Sequence, residues 1–176
     1  LAGALRAHER AVLPGFYGSL PNGEIHTFSR GGSDISGAIV ARAAQAELYE
    51  NWTDVSGFLM ADPRVVENPQ PIDVLTYREL RELSYMGATV LHEDAIFPVH
   101  RAGIPTAIKN TNAPEDPGTM IVAEPTEACF RRPITGIAGH KDFTLISIEK
   151  AMMNSELGFG RRVLQALEDF GVSFEH

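Results

Sequence analysis

Arg30-Gly31-Gly32-Ser33-Asp34 runs directly into Ile35, Ala38, Ile39, Ala43, Ala46 and Tyr49, which fall on one helical face. Two adjacent glycines let a backbone approach a ligand closely. The helix start behind them offers unpaired N–H groups and the positive end of a dipole. Arg30 adds a planar fork of donors and Ser33 a hydroxyl. The stretch suits a phosphate or a carboxylate; it equally suits a plain glycine turn, with Ser33 or Asp34 capping the helix. It is not a P-loop, because Gly-x-x-x-x-Gly-Lys-Ser/Thr is absent, and no Gly-x-Ser-x-Gly elbow supports a serine hydrolase.

Toward the N-terminus, Ala11-Val12-Leu13 before Pro14-Gly15 reads as a short buried strand ending in a turn. In the other direction, Trp52 to Met60 reads as extended, stopped by Asp62-Pro63. Ligands of open α/β sheets sit beyond the carboxyl ends of strands, which makes Thr53 and Asp54 candidates for nucleotide contacts, with an Asx-type turn as the other reading. Arg64 follows the Asp62-Pro63 turn and suits either a phosphate or open solvent. Thr76 and Glu79 form a Thr-x-x-Glu capping box ahead of Leu80, Leu83 and Met86, and Gly87 closes that helix. Ile104 to Ile108 reads as a strand, and the turn-rich segment 110–119 as a long surface loop. His92-Glu93-Asp94 are adjacent, so on a helix they point apart and cannot converge on one ion; no metal site is expected.

Beyond Arg131-Arg132-Pro133 the pattern restarts. Phe143 to Ile148 has strong β propensity, and Phe159, Val163, Leu164, Leu167 and Phe170 mark an amphipathic helix stopped by Gly171. Val172 to Phe174 would begin another strand, giving a β-α-β start of a second, small domain.

The 176 residues are 44% apolar and 22% charged, which excludes a disordered or low-complexity chain. Fifteen basic against 23 acidic residues leave a net charge of −8, a poor field for nucleic acid. A single cysteine, Cys129, excludes an internal disulfide and fits a reducing, cytoplasmic setting. No apolar run reaches the ~18 residues of a membrane span, so no membrane partner is expected.

Taken in order, Arg30-Gly-Gly-Ser-Asp34-Ile-Ser, Thr53-Asp-Val-Ser-Gly57, Asp62-Pro-Arg64 and Tyr77-Arg-Glu-Leu-Arg-Glu-Leu-Ser-Tyr-Met-Gly-Ala-Thr-Val-Leu-His92 resemble the aspartate kinases. Ile104-Pro105, Asn110-Thr-Asn112 and Pro117-Gly-Thr119 continue the match, and the zone from Ile137 resembles an ACT regulatory domain. The resemblance implies an α/β fold: a layered, amino-acid-kinase-like sandwich on a mostly parallel sheet, then a truncated ferredoxin-like ACT unit. It implies a nucleotide-binding part of the catalytic domain over 1–132 and the start of ACT over 133–176. The chain begins at Leu1 and lacks the family's Lys-Phe-Gly-Gly motif, so a catalytically incomplete piece is expected.

The implied reaction passes the γ-phosphoryl group of ATP, bound with Mg²⁺, to the side-chain carboxylate of L-aspartate. By resemblance Arg30 holds the aspartate carboxylate and Ser33 adds a hydrogen bond. Asp34 orients a catalytic lysine from the remainder of the domain. Thr53 and Asp54 contact the nucleotide, Leu59 lines the adenine pocket and Arg64 meets the phosphates. Thr89 stands where many members carry a nucleotide-contacting lysine. In the ACT zone Met153, Ser155, Gly158, Phe159 and Glu175 match effector positions, implying lysine or threonine as regulator and a homodimer or higher oligomer. The rival expectation is a non-catalytic, ACT-bearing regulatory subunit or amino-acid sensor. A glutamate or uridylate kinase is disfavoured by the paired Arg-Gly-Gly-Ser-Asp and Tyr-x-Glu-Leu-x-Glu-Leu motifs.

Overall fold

A computed structural model describes residues 1–28, 31–87, 91, 93–139, 141–142 and 144–173, the side chains at 93 and 94 excepted. It divides into two units, Leu1–Lys141 and Asp142–His176.

Burial on both faces marks the centre of the first unit's sheet. Thr106, Ala107 and Ile108 are all buried in strand β5 (Thr106–Asn110), as a strand covered on both faces requires. It lies between β3 (Tyr49–Thr53) and β6 (Thr119–Val122), with β4 (Val74–Thr76) outermost, giving the order β3-β5-β6-β4. Two parallel pairs, β3 with β5 and β4 with β6, meet at one antiparallel joint between β5 and β6. A separate antiparallel hairpin, β1 (Tyr17–Ser19) with β2 (Ile25–Thr27), precedes them.

Helices α1 (Ala2–Arg6), α2 (Gly32–Ala44), α3 (Tyr77–Tyr85) and α4 (Glu93–Ala102) complete this unit. The inner face of α2 is small, with Ala38 and Ala41 buried, so α2 and α4 pack closely. Ile96 and Val99, one helical turn apart on α4, are fully buried. They join Phe58, Leu75, Leu80, Ile108 and Ile121 in one core. Tyr77 donates from its buried hydroxyl to the Ile104 carbonyl at 2.7 Å and stacks on His100 at 4.5 Å between ring centroids.

The Thr76–Glu79 capping box is formed as expected: Thr76 Oγ1 accepts from the Glu79 N–H at 3.2 Å, and the Thr76 N–H donates back to Glu79 Oε2 at 2.8 Å. Gly87 follows the helix at φ +105°. Other expectations need correction. Ala11–Leu13 is exposed and not a strand, because among the described residues no neighbour pairs with its backbone. Neither Ser33 nor Asp34 caps α2: the helix begins earlier, with Gly31 as N-cap at φ +59°. The Tyr49 side of that pattern belongs to β3, not to the helix. The extended run ends at Thr53, not Met60, because 54–57 turn back toward the 110–118 loop.

Residues 131–137 stay with the first unit. Arg132 donates to the Pro71 carbonyl at 2.9 Å, Thr135 to Glu79 Oε1 at 2.5 Å, and the Ile137 N–H to the Met60 carbonyl at 2.7 Å. Among its described residues the second unit holds a 3₁₀ turn, Met153–Ser155, and one helix, α5 (Phe159–Asp169). The expected strand at Phe143–Ile148 is not formed over its described residues, 144–148, and Leu145, Ile146 and Ile148 are exposed. Val172 and Ser173 likewise form no strand, the Val172 N–H donating instead to the Leu167 carbonyl at 2.9 Å, while Phe174 lies outside the described residues. A strand exists only when another strand accepts its N–H and C=O groups, and no described segment does so here.

Candidate functional site

The start of α2 and the middle of β3 meet through one carboxylate. Asp34, in the first turn of α2, accepts from Asn51 Nδ2 at 2.9 Å, and Ser33 Oγ approaches the same Oδ1 at 3.5 Å. Asn51 Nδ2 also donates to the Tyr49 hydroxyl at 3.2 Å, which in turn donates to the Asp34 backbone carbonyl at 3.4 Å. Burial pushes the Tyr49 phenol above its ordinary range, the Asn51 hydrogen bond opposes this, and the Asp34 charge adds to it. Asn51 and Tyr49 are absent from the sequence-derived candidates. The available signal was a polar Asn at the centre of an alternating strand, where an apolar residue is the norm.

At the carboxyl ends of the parallel pair β3 and β5, Thr53 stands opposite Asn110. Thr111 donates to the Thr53 carbonyl from both N–H (2.8 Å) and Oγ1 (2.9 Å), tying the two strand ends together. Thr53 Oγ1 lies 3.3 Å from Asp54 Oδ1. Ser56 donates to Asp116 Oδ2 at 2.5 Å and accepts from Asn110 Nδ2 at 2.9 Å. Lys109 reaches the Asp116 carbonyl at 2.9 Å, its ammonium 5.9 Å from the Trp52 ring centre. The long 110–119 loop is thus pinned to the 53–57 turn, and Thr53 and Asp54 lie on the pinned edge. Gly118 makes this possible: at φ +72°, an added Cβ would stand 1.9 Å from the Ile108 carbonyl oxygen.

The next loop is fixed by Thr119, whose buried hydroxyl accepts from the Phe58 N–H at 2.8 Å and donates to the Ile72 carbonyl at 2.6 Å. Leu59 pairs with Pro71 across this loop and is exposed. Arg64 is mostly exposed and is held by Asp62, which accepts from Arg64 Nη2 at 2.7 Å and Nε at 3.0 Å. The Arg64 side-chain hydrogen bond, helped by its backbone N–H and charge, lowers the Asp62 carboxyl to about 2. Arg64 thus meets solvent as an ion-paired side chain.

Four of the expected effector positions lie on one stretch of the second unit: Met153 and Ser155 in the 3₁₀ turn, Gly158 as N-cap of α5 at φ +74°, and Phe159 as its first residue. Glu156 between them accepts from Lys150 and Arg162, and the Lys150 ammonium stands 5.2 Å from the Phe159 ring centre. Arg30, Thr89 and Glu175 lie outside the described residues, as does His92. Among the described residues no group of three or more His, Cys, Asp or Glu could hold a metal ion, and no helix is long and apolar enough to cross a membrane.

An α/β sheet with a glycine turn feeding α2 and a polar edge at the carboxyl ends of β3 and β5 is the setting in which open α/β sheets hold their ligands. A model of the amino acid kinase family matches residues 1–110, and the chain belongs to that family. Its relatives are more particular. Aspartokinase 3 of Bacillus subtilis is 50% identical over 165 residues, covering 94% of this chain and 36% of the relative. The crystal structure of Clostridium acetobutylicum aspartate kinase matches with a TM-score of 0.81 and 62% identity, over 93% of this chain and 38% of that one. Aspartokinase III of E. coli matches in two complexes. That with aspartate and ADP gives a TM-score of 0.58 at 37% identity, over 64% of this chain and 25% of that one. That with lysine and aspartate gives 0.63 at 28%, over 92% and 36%. The chain thus spans little more than a third of the length of the Bacillus subtilis and Clostridium acetobutylicum relatives.

Proposed function

We propose that this chain is part of an aspartate kinase, which transfers the γ-phosphoryl group of MgATP to the side-chain carboxylate of L-aspartate and yields 4-phospho-L-aspartate. The observation that carries the reading is the Asp34–Asn51 contact, which fixes a carboxylate beside a glycine turn at the mouth of α2. The likeness to aspartokinases, one of them solved with aspartate and ADP, supplies the substrates.

The chemistry asks little of a base. An aspartate side chain has a pKa near ~3.9 and is ionised at neutral pH, so it is already a nucleophile. What remains is alignment and the neutralising of charge on the transferring phosphoryl oxygens. Arg30 and Ser33 bind the aspartate, and Asp34 holds a lysine of the same catalytic domain in place. Thr53, Asp54 and Leu59 receive the nucleotide, with Arg64 and the backbone near Thr89 at its phosphates. The magnesium arrives on the nucleotide and screens its charge.

By the family likeness residues 1–132 form the nucleotide-binding part of the catalytic domain and 133–176 the start of an ACT unit, its leading residues Thr135 and Ile137 hydrogen-bonded to the first unit as the connection. Its turn Met153–Phe159, with Glu175, receives an amino-acid effector, lysine or threonine, and pairs with the same region of a second subunit. The E. coli relative solved with lysine supports an amino-acid regulator. We place the protein's action in the cytoplasm, a reducing setting that a single cysteine suits.

The test is a coupled ADP-release assay of the complete protein with L-aspartate, L-glutamate, UMP and carbamate as acceptors. Release that depends on L-aspartate is expected. Release with any other acceptor alone, or with none, would replace the reading.

A further inference from the structure

We infer that Asn51 is a positioning residue for Asp34, fixing which carboxylate oxygen faces the glycine turn; the inference rests on the proposed phosphoryl-transfer role of Asp34. Asn51 is buried in the centre of β3, where an unbonded amide would be costly. Both protons of its Nδ2 are used. One goes to Asp34 Oδ1 at 2.9 Å, the other to the Tyr49 hydroxyl at 3.2 Å. Among the described residues no hydrogen bond reaches Asp34 Oδ2. That oxygen lies on the Gly31 side, 3.5 Å from where a Gly31 Cβ would stand.

A carboxylate on the first turn of a helix can otherwise rotate about its terminal torsion, which is broad and roughly two-fold. Bonding one oxygen to a rigid strand removes that freedom and leaves one acceptor aimed at the site. Tyr49 supports the arrangement, and Gly37 makes room for it: a Cβ at position 37 would stand 2.6 Å from the Tyr49 hydroxyl oxygen. Three residues far apart in chemistry, Gly37, Tyr49 and Asn51, thus share one task, to hold Asp34 in a single orientation. Misplacement of a catalytic partner by about 1 Å costs on the order of 10²-fold in rate.

The test uses the complete protein with MgATP and L-aspartate. Asn51→Leu keeps the side-chain volume and removes the donor. It should lower kcat roughly ten- to hundred-fold while the KM for MgATP stays within about twofold. In an Asp34→Asn background the same change should cost almost nothing further, because Asn51 acts only through Asp34. Tyr49→Phe removes the 3.4 Å contact to the Asp34 carbonyl and the acceptor of the second Asn51 proton but keeps the Asn51–Asp34 bond, and should leave most of kcat. Where Asn51→Leu does not fold, Asn51→Thr carries the test, since threonine suits a strand and its hydroxyl is too short to span the gap. Unchanged kcat in the folded variant overturns the inference. So does a parallel fall of kcat, nucleotide affinity and melting temperature, or a full additional loss in the Asp34→Asn background. Absence of aspartate-dependent turnover in the wild type would overturn the proposed function itself and this inference with it.

Discussion

The first unit and the second carry helices of similar apparent quality, yet only one of them has a core. Helix α3 buries Tyr77 and Leu80, whereas α5, with a cleaner apolar stripe, buries nothing. Leu164 and Phe170 are exposed, as are Leu145, Ile146 and Ile148 ahead of the helix. Amphipathic spacing specifies a face that can be buried; a second layer must then cover it. In the first unit the sheet β3-β5-β6-β4 is that layer, and in the second no described strand plays the part.

Two glycines sharpen the contrast most. Gly118 and Gly158 have nearly the same backbone, φ +72° and +74°, in opposite surroundings. Gly118→Ala would drive a methyl into the Ile108 carbonyl, so a loss of more than about 4 kcal/mol, or no folded first unit, is expected in urea titrations. Gly158→Ala meets nothing closer than Arg161 Nε at 4.0 Å, so only the left-handed backbone penalty of about 1–2 kcal/mol remains. That smaller loss would be read as increased hydrogen exchange at the start of α5. Equal effects at both sites would break the comparison.

Two leucines come next. Leu80→Ala removes a fully buried side chain and should destabilise by about 2–5 kcal/mol. Leu164→Ala, on the exposed face of α5, should change stability by less than about 0.5 kcal/mol. Thermal denaturation of the two variants would check both. A large loss at Leu164 would mean that α5 is covered in solution.

The smallest effect concerns acid. Burial alone would raise the Glu79 carboxyl, but hydrogen bonds from the Thr135 hydroxyl and from the Thr76 N–H and hydroxyl outweigh it and leave the group lowered. With its folded value below the ordinary one near 4.5, the unfolded chain takes up the proton first as pH falls. The Glu79 contribution is therefore full above that value and lost as pH drops through the folded one. Glu79→Gln should flatten the decline in stability below pH ~4.5 measured by urea midpoints. An unchanged acid limb would show that Glu79 is not part of it.

What could be read from the sequence follows the range of each interaction. The capping box at Thr76 and the stop at Gly87 depend on residues a few positions apart, and both were legible. So was the approximate place of β5. The hairpin β1–β2, the strand β4 and helix α4 went unread, because their sequences carry no strong local signal and are settled by packing. Phe143 to Ile148 shows the opposite failure: high β propensity with no described partner strand. In the site, Asp34, Thr53 and Asp54 stood out through their motifs. Asn51 and the Ser56–Asp116 bond did not, because a contact between residues 60 positions apart leaves no local trace.

The central claim is that the carboxylate held by Asn51 belongs to a phosphoryl-transfer site for aspartate. Phosphorus NMR of the complete protein with MgATP and L-aspartate tests it most directly, comparing wild type with Asp34→Asn. An acyl-phosphate resonance that grows with ADP is expected in the wild type, and a rate lower by about 10²-fold or more in the variant. Acyl phosphate formed at the same rate by both proteins would contradict it.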